Sequence, residues 1–102
     1  MPSNTTSSKF FFVYVLESVF DHNRYIGYTT DLKRRIEEHN KGFSLATKFR
    51  LPFKLVYYEA CLHEGDAKRR ERYLKGTQGR RFLGLRLAEY SRHLKAALVS
   101  GS

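Results

Sequence analysis

The chain has 102 residues, 41% hydrophobic and 15% aromatic, enough for one small core and too apolar for a disordered chain. Nineteen Lys and Arg against ten Asp and Glu leave a net charge of +9, the balance expected of a small domain that meets a polyanion. A single cysteine excludes an internal disulfide and argues against structural zinc, and the longest apolar run is too short to span a bilayer.

The first nine residues, rich in Ser, Thr and Asn, read as a flexible tail, residues 99–102 read likewise, and 10–98 form one domain between them. Phe10 to Glu17 is a β-branched and aromatic run, long enough for a strand and too short for a confident helix. Lys9 ahead of it imitates a signal peptide, but Glu17 ends the run and no small-residue cleavage site follows directly, so a cytoplasmic protein with no membrane partner is expected. Asp21, His22 and Asn23 are turn formers, and Arg24 to Tyr28 predicts a second strand, making a hairpin. Thr30 is placed to cap a helix over Asp31 to Asn40, with Asp31 in its first turn and Gly42 as its stop. A basic loop from Phe43 to Leu51 runs into Pro52, then Phe53 to Ala60 predicts a third strand. Glu64 to Lys75 predicts a second helix ended by Gly76. A third helix runs from about Gly79 towards Leu98, with Leu83, Leu87, Tyr90, Leu94 and Leu98 on one stripe. The order ββαβαα describes an α+β fold, a small three-stranded antiparallel or mixed sheet packed against helices.

On the first helix, Leu32 and Ile36 mark the buried side, while Lys33, Arg34, Glu37, Glu38 and Lys41 fall away from it. Arg35 lies about 60° from Leu32 on the wheel, and His39 lies closer still. The plain reading of Arg35 is a stem laid on the core edge; the functional one is a cation turned inward to meet a carboxylate or phosphate. On the second helix, Ala67, Glu71 and Leu74 share a stripe with Arg70 at its margin, so Glu71 sits on the apolar side. A carboxylate there must be paired or hold a cation. A Glu71–Arg35 or Glu71–Arg70 ion pair and a ligand for a hard divalent metal both remain open. Strand alternation puts Tyr14 with Phe12 and Leu16, and Tyr25 with Gly27, a mid-strand glycine of the kind that admits a ligand or another backbone. No P-loop, GxSxG, HExxH or paired-cysteine motif is present.

Phe12-Val13-Tyr14, Tyr25-Ile26-Gly27, Thr30-Asp31-Leu32-Lys33-Arg34-Arg35, His39-Asn40, Pro52 before Leu55-Val56-Tyr57-Tyr58-Glu59, and Ala67 with Arg70-Glu71-Arg72-Tyr73-Leu74-Lys75 stand in one order. That ordered set, over about residues 10 to 90, resembles the GIY-YIG nuclease superfamily. It is most similar to the small stand-alone bacterial members related to the catalytic module of the excision-repair incision subunit. Phe12 departs from the family's glycine, at a place that varies in the stand-alone group. The resemblance implies a metal-dependent phosphodiesterase. Carried onto matching positions, it puts Glu71 on a single Mg2+ or Mn2+ ion, Arg35 on the scissile phosphate and Tyr14 near the attacking water. Tyr25 is then a second phenol, Gly27 the close-approach position and His39 a supporting group. If so, Tyr14, Tyr25, Arg35 and Glu71 must converge on one concave face. A phenol near its reference pKa of about 10 is a poor base at pH 7, so a cation must act on Tyr14; Lys33, Lys54 and metal-bound water are the candidates.

Phosphate contacts are expected from Lys33, Arg34, Lys48, Arg50, Lys54, Arg70 and Lys75, within a surface to which residues 66–86 bring eight basic and two acidic residues. The leading function is a DNA endonuclease of repair or recombination, with DNA favoured over RNA and a monomer or weak dimer as the assembly. The alternatives are a nucleic-acid-binding module that keeps the fold without cleaving, and a basic domain bound to ribosomal or other RNA.

Overall fold

The computed structural model describes residues 9–44, 47–49 and 51–100. The tail predicted over residues 1–9 therefore lies outside the described residues except for Lys9, which is exposed, and so do residues 101–102 of the C-terminal tail. The chain divides into two compact units, one ending at Glu71 and one beginning at Arg72.

The first unit is a three-stranded sheet with its helices. Strands β1 (Phe11–Ser18), β2 (Arg24–Thr29) and β3 (Phe53–Cys61) lie in the order β2-β1-β3, both pairings antiparallel. The apolar β1 is central because it has neighbours on both edges to bury it: Val13 to Ser18 are all buried. The hairpin turn is held by Ser18, whose Oγ accepts from the Phe20 and Asp21 amides, and by His22 at a positive φ of 62°.

Register sorts the two faces. Tyr14 pairs with Gly27 and Tyr58, Leu16 with Tyr25 and Leu55, and Ser18 with Phe53, so these share one face. Helix α1 (Leu32–Asn40) covers it, with Leu32 and Ile36 packed on the core of Tyr14, Leu16 and Phe53. Asn40 ties the end of α1 to the start of β3, accepting from the Phe53 amide at 2.8 Å and donating to its carbonyl at 3.1 Å. The opposite face carries Val13, Val15 and Ile26. Onto it α2 (Glu64–Lys75) brings Glu64, which accepts from the Tyr28 hydroxyl at 2.7 Å, and Arg70, which grips Glu59 through two nitrogens at 2.9 and 3.0 Å. In β3 the pairing jumps from Val15–Tyr57 to Leu16–Leu55, leaving Val56 as an extra residue.

Two local expectations change. The cap of α1 is Asp31 rather than Thr30: its side chain accepts from the Arg34 amide at 3.2 Å, while the Asp31 amide donates to Thr29 Oγ1. The Thr29 hydroxyl closes its own turn and delays the helix by one residue. Gly42 does end α1, at φ +81°.

The second unit holds the end of α2, then α3 (Thr77–Arg86) and α4 (Ala88–Ser100). The single helix expected over this stretch is two, parted at Leu87 (φ −107°, ψ 21°). The Leu87 amide still reaches the Leu83 carbonyl at 2.9 Å, so the apolar stripe keeps its period through the bend and does not reveal it. Leu83 and Leu87 are buried and Tyr90 and Leu94 half-buried, as that stripe requires; the Leu98 side chain lies outside the described residues.

Candidate active site

Tyr14 stands at the middle of the central strand, 1% exposed. Its hydroxyl lies against Gly27 of β2, where a Cβ would overlap both the oxygen and the ring. The mid-strand glycine thus makes room for a tyrosine. From α1, Arg35 Nε donates to Tyr14 Oη at 3.4 Å and His39 Nε2 lies 2.9 Å from the same oxygen. The wheel explains this: Arg35 and His39 are one turn apart on the flank that α1 turns to the sheet. The Tyr25 ring packs 5.1 Å from His39 and 6.5 Å from Tyr14, edge-on and tilted.

Burial raises the Tyr14 hydroxyl above the ordinary phenol range; Arg35 pulls it back, and the charges of Tyr25 and Glu71 add to the rise. The cation acting on Tyr14 is therefore Arg35, rather than Lys33 or Lys54. Lys33 is exposed on α1, and Lys54 stands opposite Glu17 on the other face of the sheet. Burial, and then Arg35, hold His39 below the ordinary imidazole value. It is a neutral ring at pH 7, 0% exposed. Arg35 is within reach of solvent, its side chain 33% exposed, and Glu38 steadies it through Nη1 at 3.1 Å. Glu38, expected in the solvated set, instead bridges Arg34 at 3.2 Å and Arg35.

Tyr14, Tyr25, Arg35 and His39 thus come together on one face. Glu71 arrives on α2, half-buried between the fully buried Ala67 and Leu74. Its charge is felt at Tyr14 on one face and, behind burial and the Glu64 bond, at Tyr28 on the other. Among the described residues no group of three or more His, Cys, Asp and Glu forms a metal cage. One carboxylate from the protein is compatible with Mg2+, which keeps waters and binds through one or two carboxylates plus substrate phosphates.

The expected phosphate contacts scatter. Arg34 and Lys48 are exposed, the latter 4.9 Å over the Phe49 ring. Arg70 is engaged with Glu59 and does not join Tyr14. Lys75 is exposed on the part of α2 in the second unit, and Arg50 lies outside the described residues. Sequence reasoning missed Thr47, 1% exposed, whose Oγ1 is 2.8 Å from His39 Nδ1. A single threonine in a loop gives no periodic signal.

A family model described as the GIY-YIG catalytic domain matches residues 10–83. A UPF0213 protein of Streptococcus pyogenes serotype M3 is 53% identical over 49 residues, 47% of this chain and 52% of the relative. A UPF0213 protein of Streptococcus agalactiae serotype V is 46% identical over 65 residues, 63% of this chain and 73% of the relative. The chain thus spans about half the length of the first of these curated relatives. Among solved structures, the solution NMR structure of a UPF0213 protein from Bacillus halodurans is 36% identical at a TM-score of 0.46, covering 72% of this chain and 81% of that one. Among the described residues no helix is long and apolar enough to cross a membrane.

Proposed function

Since the chain belongs to the GIY-YIG family, we propose that it is a metal-dependent, cytoplasmic DNA endonuclease of repair or recombination. The observation that carries this reading is the Tyr14 hydroxyl shared by Arg35 and His39 over Gly27. A module that only binds nucleic acid has no use for a phenol buried between a base and a fixed cation.

Each residue has a task in phosphodiester hydrolysis. Of the Arg35 donors, Nε serves Tyr14 and Nη1 serves Glu38; the rest of the fork meets the equatorial phosphate oxygens. Tyr14 takes a proton from the attacking water as its own passes to His39, which stands neutral and in line. Tyr25 packs the imidazole in place. Glu71 would hold the divalent ion, which when bound relieves charge on the phosphate and the departing oxygen.

The loop after α1 supports a substrate with unpaired bases. Phe43 is 71% and Phe49 83% exposed, with Lys48 over the Phe49 ring. Exposed rings that stack on bases, next to cations that track phosphates, suit single strands better than a closed duplex. A panel of labelled single-stranded, duplex, flapped and branched DNAs plus RNA, with Mg2+ or Mn2+, tests the proposal. Cleavage of DNAs that expose unpaired bases is expected. Tight binding without cleavage of any member, with either metal, would replace the nuclease with a binding module.

A further inference from the structure

Thr47 is a loop residue, yet it is as buried as the core residue Tyr14, and its hydroxyl lies 2.8 Å from a ring nitrogen, His39 Nδ1. The proton order along Tyr14, His39 and Thr47 follows from what each atom can do. Arg35 Nε has only a proton to give, so the Tyr14 oxygen accepts from it. The phenolic proton then needs an acceptor, and His39 Nε2 at 2.9 Å is the one placed for it. A neutral imidazole that accepts at Nε2 carries its proton at Nδ1. That proton requires a buried acceptor, and Thr47 Oγ1 at 2.8 Å provides it.

We infer that Thr47 is a positioning residue, which accepts the Nδ1 proton of His39 and so keeps the Nε2 lone pair on the Tyr14 hydroxyl. The inference rests on the nuclease reading for its catalytic consequence, but its structural content stands apart from it. In the reaction the water proton moves to the Tyr14 oxygen and the Tyr14 proton to Nε2. The hydroxide oxygen bonds to phosphorus as the bond to the departing oxygen breaks, and that oxygen takes a proton from solvent. The imidazolium left behind still donates Nδ1–H to Thr47, so the same contact serves both protonation states; His39 later returns its extra proton to solvent. A hydroxyl fits this task better than a carboxylate would. It fixes the ring without adding a charge that holds the proton on His39 and prevents turnover. Among the described residues, the groups facing the ring are Tyr14 from β1, Tyr25 from β2, Arg35 and Glu38 from α1 itself, and Thr47 from the loop.

The test uses the full chain with Thr47→Val, which keeps the shape and removes the acceptor, and Thr47→Ser, which restores it. The nitrogen shifts of His39 in labelled protein report the tautomer without any need for activity. Parent and T47S should carry the proton at Nδ1, and T47V should lose that preference. Cleavage by folded T47V should fall in kcat on the order of 10- to 100-fold, with KM held and serine restoring most of the rate. An unchanged His39 tautomer in T47V, or a serine variant as slow as valine, overturns the inference. If the parent cuts nothing, the nuclease reading falls while the tautomer still decides the role of Thr47.

Discussion

Arg34 and Arg35 are identical side chains one residue apart, and the structure gives them different lives. Arg34 is 75% exposed on Glu38, whereas Arg35 reaches the buried Tyr14. Arg35→Ala should therefore cost a factor of roughly 10² to 10³ in rate, the scale of losing one transition-state donor. Lysine should rescue it only in part, because an ammonium lacks the planar fork. Arg34→Ala should leave single-turnover rates nearly unchanged and weaken binding slightly at low salt. Folded Arg35→Ala cutting like the parent would remove Arg35 from the phosphate. At this scale the sequence was legible wherever a side chain sat on a periodic element. Arg35, His39 and Glu71 stood out because each broke the polarity of its helix face. Glu38 and Thr47 escaped: an acid on an outer face looks solvated until the arginine three residues before it folds back, and a loop hydroxyl has no periodicity to break.

Elements meet here through glycines and through one buried imidazole. A Cβ on Gly79 of α3 would collide with the backbone of Tyr73 and Leu74, whereas Gly84 on the same helix faces open space. Gly79→Ala should cost more than the ~1–3 kcal/mol of ordinary overpacking, since backbone cannot step aside. Gly84→Ala should stabilise by about 0.5–1 kcal/mol; urea melts of the two variants check both signs. His39 adds a pH dependence. Its folded pKa lies below the usual 6.5, so below that pH the unfolded chain binds the extra proton first and stability falls with falling pH. The loss should be absent in His39→Gln. A separate loss, below the ordinary carboxylate value of 4.5, belongs to Glu38, held low by Arg35, and to Glu64, held low by the Tyr28 hydroxyl. Melts from pH 7.5 to about 2 should show the two steps. The strands were readable from β-branched and aromatic runs, and α2 from its stripe and the Gly76 stop; the bend at Leu87 was not, because the stripe passes through it in phase.

Taken whole, the molecule is a cation of +9. Binding to a labelled oligonucleotide should weaken steeply as salt rises, because every phosphate contact releases counterions. Glu71→Gln should abolish cleavage while binding holds or tightens, since a negative charge near the phosphate is gone. Salt-independent binding would point away from a polyanion altogether. The net charge announced the partner's sign, while the distribution of work among the cations emerged only in three dimensions. Arg70 braces the sheet through Glu59, and Lys54 stands opposite Glu17 on the face away from Tyr14.

Val56, the surplus residue in β3, makes one strand of the protein shorter in effect than in sequence. With it bypassed, Phe53 and Leu55 point beneath α1 and Lys54 points away. Paired without the bypass, the strand would slip by one and aim Lys54 at the tyrosine core. A chain lacking Val56 should therefore fold with every other partner of β3 kept, melting within a few degrees of the parent. A chain with one more residue inserted beside it should not. Length, usually the most sensitive property of a central sheet, is at this point a quantity the protein can lose and not gain.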